Sequence, residues 1–101
     1  MRLLEKILGE KAIATYGRVP NVVKAIEECA ELQQALCKWL VAPGEAGYVE
    51  NVHEELADVK IMINRMMLIF DPTEVEDWKE SKLEMLARLL ERGEEETGNK
   101  E

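Results

Sequence analysis

Two stretches decide how this chain folds: Ala25-Ile26-Glu27-Glu28-Cys29-Ala30-Glu31-Leu32 and His53-Glu54-Glu55-Leu56-Ala57-Asp58-Val59. Each sets two acids three residues apart, Glu28 with Glu31 and Glu55 with Asp58. On an α-helix that spacing stacks both carboxylates on one face. Asp71, Glu74, Asp77 and Glu80 repeat the same period, so spacing alone does not mark a site.

Phase against the apolar residues separates the first two pairs from the rest. At about 100° per residue, Glu28 falls among Ala25, Leu32, Ala35 and Trp39, away from Glu27, Gln34 and Lys38. Glu55 sits amid Val52, Val59, Met62, Ile63 and Met66, with Asp58 at the edge of that arc. Carboxylates on a packing face are costly to desolvate unless something compensates them. A divalent cation held between the two helices removes most of that cost, and a hard ion such as Mg²⁺ takes oxygen ligands while leaving positions for substrate phosphates.

Composition sets the frame. The 101 residues suit one small domain, and with 47% apolar residues the chain can form a core that is mostly aliphatic and Met. Richness in Ala, Leu, Glu, Lys and Met predicts an all-α protein. The net charge of −8 argues against a basic nucleic-acid surface. No stretch resembles a signal peptide and no apolar run is long enough to span a bilayer, so a cytoplasmic protein without nucleic-acid or membrane partners is expected. Cys29 and Cys37 lie eight residues apart on one predicted helix, roughly 12 Å by helical rise. They are too distant to bridge each other and read as reduced core thiols.

In chain order, residues 2–14 read as a first helix, followed by a break at Gly17-Arg18-Val19-Pro20, with Asn21 as N-cap of the next. The second helix is predicted from Val22 to Val41, a loop over residues 42–47, and a third helix from Val49 to Phe70. That third helix is apolar over most of its circumference, which predicts burial on several sides. One short chain offers few elements to cover it, so self-association is expected. Thr73-Glu74-Val75-Glu76 has the form of a capping box for a fourth helix from Glu74 to Arg92, with Gly93 as its stop. The expected organisation is one domain over residues 1–93 and a polar, disordered tail over 94–101.

The pattern Glu28-x-x-Glu31, then 23 residues, then Glu55-x-x-Asp58 resembles the EExxE…ExxD signature of MazG-like all-α nucleoside triphosphate pyrophosphohydrolases. The doubled acids Glu27-Glu28 and Glu54-Glu55 and the Val59 after the Asp match as well, over roughly residues 20–90. The resemblance implies a four-helix bundle whose core is completed by oligomerisation, as a homodimer or homotetramer. It implies cleavage of a nucleoside triphosphate between the α and β phosphates, giving the monophosphate and pyrophosphate. The implied metal set is Glu28, Glu31, Glu55 and Asp58, binding Mg²⁺ or Mn²⁺ in its place. Lysines of the last helix, here Lys79 and Lys82 with Arg88 beyond them, are implied near the triphosphate. Many members carry Asn directly after the second lysine, where this chain has Leu83.

The residue types suit that chemistry, since phosphoryl transfer asks for neutralised phosphate charge and an oriented water. Glu28, deepest in its apolar arc, is the expected general base. Trp39 can stack on a base or pack in the core. Asn64 can hydrogen-bond a base or serve as a solvated or interface amide. Tyr16 and Arg18 stand where they can close over a nucleotide.

Two other readings compete. A di-iron carboxylate bundle uses Glu-x-x-His, which Glu50-Asn51-Val52-His53 supplies once. Alternatively the chain is a non-catalytic helical self-association module whose acids form a solvated surface.

Overall fold

The structure is a computed structural model that describes residues 1–97, with side chains through Glu94. It is all-α: α1 (Leu3–Tyr16), α2 (Arg18–Val41), α3 (Ala46–Met66) and α4 (Pro72–Thr97), with no strand among the described residues. The chain divides into two compact units, Met1–Phe70 holding α1 to α3, and the segment from Asp71 onward holding α4.

In the first unit α2 and α3 form the main packed pair, and α1 crosses both. Asn21, Glu28 and Ala35 are the buried residues of α2, spaced by sevens, which keeps them on one stripe of the helix. Asn21 meets Arg65 and Glu28 meets Glu55. As numbers fall on α2 they rise on α3, so the two helices run antiparallel through the loop at residues 42–45.

The α1–α2 joint differs from the sequence expectation. The break is Gly17 alone, whose φ of 88° lies where glycine is favoured, and its N–H donates to Ile13 O at 2.8 Å. Pro20 falls in the first turn of α2, where a missing N–H leaves no helical bond unmade. Asn21 is therefore inside the helix rather than at its N-cap. It is buried, and its Nδ2 donates to Gly17 O at 2.7 Å and Ala12 O at 3.2 Å. The amide thus ties the last turns of α1 to the residue at the start of α2.

The α3–α4 boundary also moves. Helix α3 ends at Met66, and residues 67–70 continue as tightened turns, with Leu68 N–H on Arg65 O and Ile69 N–H on Met66 O, both at 3.0 Å. Asp71, not Thr73, caps α4: its Oδ1 accepts from Thr73 N at 2.9 Å and Glu74 N at 3.4 Å. That leaves Pro72 at the first helical position, where its fixed φ suits the helix. Helix α4 runs through Gly93, the expected stop, to Thr97. A glycine inside a helix costs only about 1 kcal/mol, and helix-favouring Glu94, Glu95 and Glu96 follow it. Residues 98–101 of the expected tail lie outside the described residues.

Ala35 and Met62 are the only buried apolar side chains among the described residues. Helix α3 leaves Leu56, Ile61 and Ile63 partly open, and α4 exposes Trp78, Leu83, Leu86, Leu89 and Leu90. Cys29 and Cys37, expected in a core, are exposed free thiols. The unit of three helices covers only the stripe of α2 that holds Asn21, Glu28 and Ala35, and both cysteines lie off that stripe.

Candidate metal centre

The α2–α3 pairing brings Glu28, Glu31 and Glu55 together, each offering a carboxylate oxygen within 4.8 Å of the others. Glu28 is buried, Glu55 half-buried and Glu31 exposed, so the cluster opens outward from a closed floor. Helical spacing puts Glu28 and Glu31 on adjacent turns, and the antiparallel register aligns Glu55 with them. Asp58 lies outside that mutual range, although its charge acts on Glu55. Three of the four expected ligands thus converge.

The cluster is electrostatically incomplete. Lys24 Nζ reaches Glu28 Oε1 at 3.0 Å, but Glu28 Oε2 and Glu55 Oε2 are buried with no hydrogen-bond partner. Buried acceptors left without donors are uncommon and costly. Burial, then the charges of Glu31, Asp58 and Glu28 and a hydrogen bond with Glu31, hold the Glu55 carboxyl above its ordinary value. The hydrogen bond to Glu28 and its charge raise the Lys24 ammonium. Clustered oxygens with free lone pairs and excess negative charge are a donor set that fits a hard divalent cation.

The other expected site residues are placed as follows. Asn64 Nδ2 donates to Glu5 Oε1 at 2.8 Å, tying α3 to α1. Trp39 is 38% exposed and stands eight residues beyond Glu31 on α2, roughly 12 Å along the axis. Lys79 and Lys82 lie on α4 in the second unit, where with Val75, Trp78, Leu83 and Leu86 they line an apolar groove. Lys79 Nζ is 3.9 Å from Glu76 Oε2. Glu50 and His53 pair with each other at 3.7 Å, both exposed and outside the acidic cluster.

Lys24 went unremarked in the sequence, although its i,i+4 spacing to Glu28 was a readable signal. Arg65 has no such local signal. Its contact with Asn21 depends on the α2–α3 register, which no local pattern carries. No protein-family model, curated protein or solved structure matches the chain, so the meaning of this centre rests on its own residues.

Proposed function

We propose that the protein is a Mg²⁺-dependent nucleoside triphosphate pyrophosphohydrolase of MazG-like type, acting in the cytoplasm as a homodimer or homotetramer. The observation that carries this reading is the convergence of Glu28, Glu31 and Glu55 with two buried carboxylate oxygens that have no partner. Glu28, Glu31 and Glu55 would hold the cation, with Asp58 adding charge and a ligand at the edge. When bound, Mg²⁺ (or Mn²⁺ in its place) neutralises phosphate charge and makes the attacking water more acidic.

The chain's own residues supply the rest. Water attacks the α-phosphorus, the bond to the bridging oxygen breaks, and pyrophosphate leaves. We assign the proton-accepting role to Glu55 in preference to Glu28. Among the described residues no cation pairs with Glu55, whereas Glu28 Oε1 is already engaged by Lys24. Lys79 and Lys82 remain the proposed contacts to the phosphate chain, and Trp39 is the residue proposed to meet the base. Asn64, on the other side of the acids in the α2–α3 pair, has its amide engaged by Glu5 and is assigned no base contact.

Two buried apolar side chains among the described residues give a chain of this size very little core. The apolar face of α4 is therefore proposed to complete a four-helix bundle against another copy. The test incubates the protein with Mg²⁺ and a panel of ribo- and deoxyribonucleoside triphosphates and identifies the products. Monophosphate with pyrophosphate is the expected outcome. Diphosphate with free phosphate means cleavage at a different bond, and no turnover on any nucleotide refutes the reading.

A further inference from the structure

One half-buried cation of the three-helix unit, unlike the exposed ones around it, has no counter-ion among the described residues. Arg65, half-buried on α3, has its Nε buried with no hydrogen-bond partner. Its Nη1 makes only long contacts to neutral groups, Asn21 Oδ1 at 3.5 Å and Met62 Sδ at 3.6 Å. Among the described residues it takes part in no ion pair. Glu5 shares a neighbouring cleft with it but accepts the Asn64 amide. A desolvated guanidinium without an anion is unfavourable, and its planar fork is shaped to meet carboxylate or phosphate oxygens.

The guanidinium lines a cleft of about 290 Å³ together with Ala12, Tyr16, Pro20, Asn21 and Lys24. Lys24 joins this cleft to the acidic centre, because its Nζ is 3.0 Å from Glu28 Oε1. Asn21, beside Arg65, stands seven residues from Glu28 on α2, about 10 Å along the axis. Two cations, one of them without a counter-ion among the described residues, thus line a cleft that adjoins the acidic centre through Lys24. The acids suit the cation-bridged part of a polyphosphate, and the cleft suits the part beyond it.

We propose that this cleft takes the terminal phosphates of the substrate, the portion that leaves as pyrophosphate, with Arg65 as the residue that grips them. The assignment of the ligand rests on the pyrophosphohydrolase reading, whereas the existence of an anion site rests on Arg65 and its cleft. Removing a charge that has no partner should not weaken the ligand-free fold, so Arg65 trades stability for binding.

The test measures calorimetric binding of inorganic pyrophosphate and of a nucleoside monophosphate, both with Mg²⁺, to wild type, Arg65→Met and Arg65→Lys. Triphosphate turnover and ligand-free melting are followed in parallel. Arg65→Met should bind pyrophosphate at least tenfold more weakly, about 1.4 kcal/mol. KM for the triphosphate should rise by a similar factor, while monophosphate affinity and the melting temperature do not fall. Arg65→Lys, which keeps the charge without the fork, should lose a smaller factor and serves as the reading if the Met variant does not fold. Wild-type affinity for pyrophosphate in both variants overturns the proposal even if nucleotides are hydrolysed. A loss confined to the monophosphate also overturns it, because the cleft then holds the nucleoside end. Pyrophosphate binding that depends on Arg65, in a protein that hydrolyses no nucleotide, upholds the anion site and refutes the pyrophosphohydrolase reading instead.

Discussion

Lys24 Nζ lies 3.0 Å from Glu28 Oε1, yet the other oxygen of the same carboxylate is buried and bonded to nothing. One ammonium therefore compensates part of the negative charge that α2 and α3 bring together, and the remainder calls for a further cation. The first prediction follows from this imbalance.

Mg²⁺ should raise the melting temperature of the wild-type protein. A ligand that binds only the folded state adds about 2.7 kcal/mol when its free concentration is a hundred times its Kd. In Glu55→Gln the Mg²⁺-dependent rise should shrink or vanish, while the metal-free protein should melt no lower than wild type near neutral pH. Differential scanning calorimetry with and without Mg²⁺ checks both. A Glu55→Gln variant with an undiminished Mg²⁺ response removes Glu55 from the ligand set.

The metal-free protein should show a pH signature of Glu55. Its carboxyl is held above its ordinary value, chiefly by burial and then by the neighbouring acids, so the folded state binds the proton more tightly than the unfolded chain. Its contribution to stability is thus absent while the group is ionised near neutrality. It grows as pH falls through the raised value and levels off below the ordinary value of 4.5. The difference in stability between wild type and Glu55→Gln, followed by urea unfolding from pH 7 to 4, isolates it from other acids. Mg²⁺ affinity should move the opposite way and weaken over the same window, because the ion needs ionised carboxylates.

Asn21→Ala should destabilise the fold without touching the acidic centre directly. It removes the donor that serves Gly17 O and Ala12 O, hydrogen bonds worth about 0.5–1.5 kcal/mol each. Denaturant unfolding should show a lower midpoint, and Mg²⁺ should still raise the melting temperature.

Leu86→Glu on α4 should disrupt self-association. Leu86 is 48% exposed in the single chain and lines the apolar groove with Trp78 and Leu83. A charge there is incompatible with a dry interface between copies. Light scattering should give a dimer or tetramer for wild type and a smaller species for the variant, with a lower melting temperature. An unchanged mass for Leu86→Glu would assign the contact to another face.

Much of this protein was legible without coordinates. Helix type followed from composition and the 3.6-residue period. Glu28 among Ala25, Leu32 and Ala35 already announced a buried carboxylate, because phase on a helix is a local property of the sequence. Helix ends were less legible. Asp71 displaced Thr73 as cap, Gly93 failed to stop α4, and Asn21 proved to be a latch onto α1 rather than a cap, since each end is settled by competition among neighbouring donors and acceptors.

The sequence by itself therefore determined an all-α chain and which acids lie on packing faces, properties that repeat every few residues. Only the tertiary structure decided that Glu55 meets Glu28 and Glu31 while Asp58 stays at the edge, and that Arg65 is left beside Asn21 and Lys24 without an anion. Those relationships depend on the axial register of two antiparallel helices. A shift of one turn moves every side chain by about 5.4 Å, and no local pattern encodes so small a displacement across a loop.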